Sequence, residues 1–305
     1  MNRRSNSTAG IAITSLAALF YATLPIFTKL AYDAGSNAET FNFYKSAWAI
    51  PILAVILAAR KKSVRLPGKL TLWAIAAGIL CKGITSLLLF YSYNYVTSGV
   101  ATTLHFMYPL FAALLARIFF HTRLPAYKWL TILAATLSVA LLIDLGDGLV
   151  GIQGIIYAVL SAVVYAAYIM VVDKTGLSKV DPMVFSLYLA ISGAVFALIF
   201  GLGTGSMALA IPAKAHAFTA LAAIATSIIG VACFQQGIQR LGGASAAFFS
   251  LLEPAGSCVL GVIFLNEALG MRSLAGILLI LCAVLAMVYL DYRVQQVHMR
   301  SPHAD

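Results

Sequence analysis

The chain has 305 residues, of which 62% are hydrophobic and only 10% are charged, and its mean hydropathy is +0.95. Soluble domains carry about 25% charged residues, so this composition excludes an ordinary soluble domain and indicates an all-α integral membrane protein. The formal net charge is +10. Such a basic balance marks either a nucleic-acid partner or, in a membrane protein, the orientation of the chain.

Ten apolar runs are long enough to cross a bilayer, given about 20 residues per crossing. We therefore predict ten transmembrane helices, with short connections that leave no room for a soluble domain. The runs are residues 9–31, 40–59, 70–91, 97–120, 127–144, 151–172, 183–203, 217–239, 244–266 and 271–291.

The basic residues indicate how these spans are oriented. With a cytoplasmic amino terminus, fifteen of the twenty Lys and Arg residues fall in inner segments, three fall in outer segments and two lie within spans. This positive-inside distribution predicts that the segment 1–8 and the tail 292–305 are both cytoplasmic. It also accounts for the net charge without a nucleic-acid partner.

The sequence contains an internal repeat. One apolar run aligns with another when Pro109 is placed on Pro254, and a second pair of runs aligns when Gly10 is placed on Gly154. Both matches have nearly the same offset, about 145 residues, which is close to half the chain. The chain is therefore predicted to consist of two copies of one structural unit.

The two predicted units are residues 9–144 and 151–291, with five spans each. Because five is an odd number, the second unit enters the membrane from the opposite side to the first. Inverted repeats place a pseudo-two-fold axis in the membrane plane and supply an inward and an outward gate around one midplane site. This geometry is typical of carriers.

Two ionisable residues lie deep in the predicted spans. Lys82 is near the centre of the third run, and Glu253 is near the middle of the ninth, directly before Pro254. A charge at that depth costs roughly 2.5–3.5 kcal/mol on insertion scales, so it normally has a partner or a function. Two interpretations stay open. Either both residues face one cavity, where they pair or bind opposite ends of a zwitterionic substrate, or they form a fixed structural ion pair.

Aromatic and polar stripes on other spans predict the walls of the same cavity. Tyr21 on the first span and Tyr165 on the sixth occupy matching positions of the repeat, although tyrosines there also fit ordinary hydrogen bonds between helices. His105 and Tyr108 share one face of the fourth span. His105 is a candidate for moving coupling protons because histidine titrates near neutral pH, but a structural hydrogen bond fits a lone histidine equally.

Two further spans offer weaker candidates for the site. Gln235 and Gln236 are adjacent on the eighth span, so at most one of them reaches the cavity. Lys45 lies near the outer end of the second span, where its long side chain could snorkel to the interface. All four cysteines lie inside apolar runs without a CxxC pair, so we expect neither a disulfide nor a metal or cofactor site.

These features resemble the EamA-type branch of the drug/metabolite transporter superfamily. The resemblance covers nearly the whole chain and rests on ten spans in two halves and on a set of short motifs. The motifs are Tyr21, the segment 95–101 leading to Tyr108-Pro109, and Glu253-Pro254 followed by the segment 266–269.

The resemblance implies a bacterial inner-membrane carrier, often an exporter of amino acids or related metabolites. It also implies a central cavity formed by the first, third, fourth, sixth, eighth and ninth spans. One departure is that Thr122 replaces the acid that usually ends the fourth span, whereas Glu267 keeps it in the second half. The two ends of the core are therefore expected to be chemically unequal.

The sequence thus predicts a secondary carrier that moves a small polar or zwitterionic metabolite by alternating access. Lys82 would bind a carboxylate and Glu253 an ammonium group, and tyrosines would shape the pocket. The expected partners are the substrate, the lipid bilayer and, through His105, protons as the coupling ion. The chain is expected to act as a monomer or weak dimer.

Two rival functions stay open at this point. An intramembrane prenyl or acyl transferase would use Asp144 and Asp147 as a DxxD motif for magnesium-diphosphate, but such enzymes usually need a second acidic cluster, and the sequence has only this one. A channel is disfavoured because pores more often arise from rings of subunits than from two inverted halves of one chain.

Overall fold

The structure, a computed structural model, describes residues 3–92, 95, 104–121, 124–140, 151–265, 271, 274–276, 278–279, 281–283, 285–286 and 289–290. Within these residues every regular element is helical. Six helices are long and apolar enough to cross a membrane, so the protein is a multi-pass membrane protein. They are Thr8–Asp33, Ala38–Ala59, Gly68–Leu89, Ile152–Lys174, Pro182–Gly203 and Ala213–Leu241.

The count of ten spans stays a prediction, because parts of the fourth, fifth, ninth and tenth runs fall outside the described residues. A shorter apolar helix, Leu274–Ala283, is described in part of the tenth run. Four residues discussed above also lie outside the described part of the chain, namely Thr122, Asp144, Asp147 and Glu267.

The first span is broken near its middle. Helices α1 (Arg3–Ala22) and α2 (Leu24–Asp33) meet at Thr23, whose backbone N–H and hydroxyl donate to the Phe20 carbonyl at 3.2 and 2.6 Å. Pro25 stands in the first turn of α2, where its missing N–H has no intrahelical partner to lose. The break therefore comes two residues after Tyr21, so this side chain lies next to the point at which the span is interrupted.

The third span changes helix type at its centre. Helix α4 (Gly68–Gly78) passes into a π-helical segment, π1 (Ile79–Ile84), and then into α5 (Thr85–Ser92). Lys82 lies within π1. Short π-helical segments inside α-helices occur frequently at functional sites.

The remaining elements follow the predicted runs. In the second span and the rest of the first half they are α3 (Ala38–Ala59), α6 (Tyr108–Phe120) and α7 (Ala126–Ala140). In the second half they are α8 (Ile152–Lys174), the 3-10 turn Leu177–Lys179, α9 (Pro182–Gly203), α10 (Ala213–Ala222), π2 (Ala223–Gly230), α11 (Val231–Leu241), α12 (Gly243–Phe249) and α13 (Leu252–Leu265).

Element boundaries recur at a constant spacing of 144 residues, within one residue of the offset that the sequence alignment indicates. α3 and α9 begin at Ala38 and Pro182, π1 and π2 at Ile79 and Ala223, and α6 and α13 at Tyr108 and Leu252. The starts of α3 and α9 also share their chemistry. Asn37 accepts the N–H of Thr40 at 2.9 Å, and Asp181 accepts the N–H of Met183 at 3.0 Å, as N-cap residues do.

Helix packing joins the first half of the chain to the second. α3 packs against α9, α1 against α11, and α5 against α8. Under the 144-residue spacing α3 and α9 are counterparts, and the pair α1–α11 is the counterpart of the pair α8–α5. The contacts between the two halves are therefore reciprocal.

Small residues allow the close approach of these helices. Gly237 of α11 faces Thr14 of α1 so closely that a Cβ at position 237 would lie 2.1 Å from the Thr14 Oγ1 atom. Ala17, Ala162 and Ala166 are fully buried in the core cluster between the halves. In lipid, helices associate mainly through such van der Waals contact, so small residues at the crossing favour this packing.

Candidate functional site

Four aromatic side chains from two spans form a cluster inside the protein. Tyr108 and Tyr165 meet edge to face with ring centroids 4.7 Å apart, and His105 lies 5.6 and 5.5 Å from them. Tyr168 extends the cluster from Tyr165 at 5.4 Å. We call His105, Tyr108, Tyr165 and Tyr168 the aromatic cluster. Three of its members are residues that the sequence predicts for one cavity.

A turn in the fourth span positions the first two members of the cluster. The chain turns at residues 106–107, and Met107 precedes the first residue of α6, Tyr108. Pro109 stands in the first turn of α6, as prolines commonly do at helix starts. His105 therefore precedes the turn and Tyr108 follows it, and both rings lie against α8.

The hydrogen bonds of His105 define which ring nitrogen carries a proton. The Ser161 hydroxyl donates to the Ala158 carbonyl at 2.6 Å, and its oxygen lies 2.9 Å from the His105 Nδ1 atom. When the Ser161 proton lies on the Ala158 carbonyl, the Nδ1 atom is the donor in the second contact, because a hydroxyl has a single proton. A neutral His105 then has an unprotonated Nε2 that is able to accept a proton.

Tyr21 and Glu253 adjoin the aromatic cluster. The ring of Tyr21 lies edge to face with Phe234 of α11 at 6.3 Å and touches Gly230 of π2. The Glu253 carboxyl group is close enough to Tyr21 and Tyr108 to act on both electrostatically. Glu253 is deep inside the protein and yet partly accessible, as expected of a group that lines an internal space.

Lys82 lies beside this assembly and does not pair with Glu253. Its Nζ atom is 3.5 Å from the Ser227 hydroxyl of π2, and no ion pair within 4.0 Å joins it to Glu253. Cys81, the preceding residue, packs against the buried cluster that contains Tyr108 and Tyr168. A fixed ion pair between Lys82 and Glu253 does not occur in this structure.

Gln235 occupies a different environment from the one expected for a cavity residue. Its side chain is buried, and its Nε2 atom donates to the carbonyls of Leu177 and Val180 at 2.6 and 3.1 Å. These carbonyls belong to the connection between α8 and α9. The amide nitrogen thus ties this connection to α11, while the Oε1 atom has no partner.

For Lys45 the structure differs from the snorkelling side chain that the sequence predicts. A snorkelling side chain would reach the interface, but Lys45 is only 7% exposed and its Nζ atom lies 5.6 Å from the centroid of the Phe41 ring. The physical reason is that Phe41 stands one turn earlier on α3, so the lysine stem folds back along its own helix. Asn42, three residues before Lys45 on α3, donates to the Lys82 carbonyl at 3.1 Å.

The sequence patterns did not indicate Ser46 and Ser227 as polar neighbours of the predicted residues. For Ser227 a signal exists in the repeat, because it stands 145 residues after Lys82. For metal binding, no group of three or more His, Cys, Asp or Glu residues able to hold an ion occurs in the part of the chain that the structure describes.

A multi-pass helical bundle with polar, aromatic and ionisable groups in its interior is the architecture of a membrane transport protein. The chain belongs to the EamA-like transporter family, within the drug/metabolite transporter superfamily. The sequence pattern that defines this family matches residues 8–144 and again residues 152–289. Membrane transport is therefore the general function of the protein, and its family and relatives are transporters and not enzymes.

Three proteins illustrate the similarity. The uncharacterized transporter YcbK of Bacillus subtilis is 28% identical over 88% of this chain and 89% of its own length. The uncharacterized transporter sll1319 of Synechocystis is 22% identical over 92% of this chain and 93% of its own length. A solved crystal structure matches the fold with a TM-score of 0.78 and 17% identity, over 96% of this chain and 99% of that one.

Proposed function

We propose that the protein is a secondary transporter that moves a small zwitterionic metabolite, an amino acid or a related compound, out of the cell by alternating access. The observation that carries this proposal is the position of Glu253 beside the aromatic cluster, together with a buried Lys82 that is not paired with it. Opposite charges held apart in a low-dielectric interior attract the opposite charges of a zwitterion strongly.

Each residue of the site has a distinct role in this proposal. Glu253 binds the ammonium group of the substrate, and Lys82 binds its carboxylate. Tyr108 and Tyr165 supply the aromatic wall, which favours a substrate with an apolar or aromatic side chain. Tyr21 lies at the break in the first span and closes the wall from the side of α1.

Three observations support the inverted repeat that alternating access requires. The family pattern matches the chain twice, in 8–144 and 152–289. Element boundaries recur 144 residues apart, and the helix pairs between the halves are reciprocal.

Helix interruptions at repeat-related positions would let the two halves move. π1 and π2 interrupt the third and eighth spans, and turns at 106–107 and 250–251 interrupt the fourth and ninth. Backbone interruptions of this kind are positions at which helices bend. In this proposal the ends of the chain are cytoplasmic, the membrane is the bacterial inner membrane, and His105 transfers the coupling proton through Nε2.

Transport by the purified protein in liposomes tests this function. Labelled L-amino acids would be screened first, and the best substrate would then be used with Lys82→Ala and Glu253→Gln. We expect each variant to lose at least about tenfold in uptake, because leaving a buried charge unpaired typically costs 2–5 kcal/mol. Lys69→Ala, at an exposed site at the start of α4, is the matched control and should transport normally.

Unchanged transport by both site variants would remove Lys82 and Glu253 from the substrate site. The topology has its own test, which uses reporter fusions at the two ends of the chain. An even number of spans requires both reporters to respond on the same side of the membrane, so reporters on opposite sides would contradict the inverted repeat.

A further inference from the structure

Two buried ammonium groups lie together in the interior of the protein. Lys45 of α3 is 7% exposed and Lys82 of π1 is 8% exposed, and Asn42, which lies three residues before Lys45 on α3, donates to the Lys82 carbonyl at 3.1 Å. Among the described residues, neither lysine forms an ion pair within 4.0 Å with an Asp or Glu. Within the same residues the Lys82 Nζ atom contacts the Ser227 hydroxyl at 3.5 Å, and the Lys45 Nζ atom lies over the Phe41 ring.

Buried hydroxyl groups without partners surround the same place. Among the described residues, the buried Oγ atom of Ser46 has no hydrogen-bond partner, and the same is true of the Thr85 Oγ1 atom, three residues after Lys82. Ser46 and Lys82 meet over Gly193 of α9. A Cβ built there would lie 2.7 Å from the Lys82 Cβ atom and 3.3 Å from the Ser46 Oγ atom. Buried polar atoms are normally hydrogen-bonded, so these need an explanation.

The fold does not require the two positive charges. At a spacing of 144 or 145 residues, the counterparts of Lys45 are Leu189 and Ala190, and those of Lys82 are Thr226 and Ser227. These four residues are neutral and buried. The corresponding positions of the second half therefore carry no charge, which means that the repeated backbone does not itself require the ammonium groups.

We propose that Lys45 and Lys82, together with the hydroxyl groups of Ser46 and Ser227, form a binding site for one small anionic group. The site lies between α3, π1, α9 and π2. Its ligand is a carboxylate or a small inorganic anion of the same charge. An anion between the two ammonium groups attracts both of them and accepts hydrogen bonds from the hydroxyls, which removes the repulsion and the unpartnered donors at once.

This site deepens the proposed transport function, on which its physiological use rests. A zwitterionic substrate would place its carboxylate against two lysines and its ammonium group against Glu253. Alternatively, a resident inorganic anion would neutralise the lysines. The chemistry of binding is the same in both cases, and the experiment separates the two sources.

Thermal unfolding of the purified full chain in detergent tests the site directly. Sodium acetate or sodium chloride would replace sodium gluconate, a bulky anion, at constant ionic strength. We expect the melting temperature to rise with either small anion and to saturate, since a ligand of the folded state stabilises it. Acetate that acts at lower concentration than chloride indicates a substrate carboxylate, and the reverse order indicates an inorganic ion.

Matched variants show whether these lysines bind the anion. Lys45→Met and Lys82→Met keep the apolar stem and remove the charge, and each should raise the half-saturating concentration at least about tenfold. Lys69→Met removes an exposed charge and should respond like the unmodified protein. Ser46→Ala keeps both charges, so it remains informative even if a lysine variant does not fold, and it should weaken binding about threefold.

The absence of any anion-dependent rise in the unmodified protein would overturn the site, and so would equal rises in both methionine variants. The result is independent of transport. If Lys82→Ala transports normally while the anion effect is lost in Lys82→Met, the transport role of Lys82 fails and the anion site stands. If transport depends on Lys82 but small anions have no effect, the anion site fails alone.

Discussion

The close contact between α1 and α11 predicts that the substitution Gly237→Ala destabilises the protein. A Cβ at this position would lie 2.1 Å from the Oγ1 atom of Thr14, 3.1 Å from its Cβ and 3.4 Å from its Cγ2. Rotating the threonine side chain does not solve the clash, because the Cβ atom is itself too close and the Oγ1 atom donates to the Gly10 carbonyl at 2.8 Å. The two helices must therefore move apart.

The magnitude follows from two opposing effects. Overpacking of this kind typically costs about 1–3 kcal/mol. Replacing glycine by alanine inside a helix returns up to about 1 kcal/mol of helix propensity. We therefore expect a net loss of about 1–2 kcal/mol, seen as a melting temperature a few degrees lower in detergent.

Two further variants isolate the cause of this loss. Gly203→Ala makes the same substitution at the end of α9, where a Cβ would meet nothing within 4 Å, so it should leave the melting temperature unchanged or raise it slightly. Adding Thr14→Ala to Gly237→Ala removes the contact to the Oγ1 atom at 2.1 Å and leaves the milder contact to the Cβ atom at 3.1 Å, so it should recover part of the loss. If Gly237→Ala were as stable as Gly203→Ala, or if Thr14→Ala gave no recovery, the packing of α1 on α11 described here would be wrong.

Two other predictions concern polar residues of the interior. His105→Phe keeps an aromatic ring beside Tyr165 but removes the proton-accepting Nε2 atom, so proton-driven transport in liposomes should fall while substrate exchange without a proton gradient continues. Equal loss of both activities would instead make His105 a packing residue. Gln235→Leu removes the two hydrogen bonds to the connection between α8 and α9 and should lower stability by about 1–3 kcal/mol, with Gln236→Leu, whose Nε2 atom bonds only within its own helix, as the control. If Gln235→Leu abolished substrate binding at normal stability, the residue would belong to the substrate site after all.

The sequence predicts some of the site because simple helical periodicity holds there. His105 and Tyr108 are three residues apart, and the structure brings both to Tyr165. The offset of about 145 residues between the halves is likewise close to the observed recurrence of element boundaries. The positions and spacing of the spans can be predicted from hydrophobic runs and prolines, which do not depend on how the spans pack against each other.

The relation between Lys82 and Glu253 could not be deduced in the same way. Depth in the membrane follows from position along a run, but the direction of a side chain around the helix depends on the helix type. π1 changes the number of residues per turn at Lys82, so an α-helical count misplaces everything across that segment. The burial of Lys45 depends on α9 and on Lys82, contacts that join distant parts of the chain.

The charged residues of the site occur at positions where the two halves of the chain differ in sequence. The first half contributes Lys45 and Lys82, and the second half contributes Glu253, whose counterparts at 144 or 145 residues are Pro109 and Tyr108. None of these charges is repeated in the other half, although the helix starts, the π-helical segments and the turns are. In the proposed transporter, two copies of one backbone arrangement provide two equivalent gates. A substrate with a positive and a negative end, however, needs a site whose two sides differ. In the proposed transport function, the positions at which the copies share backbone geometry and differ in charge select the substrate, so substitutions there should change specificity without changing the fold.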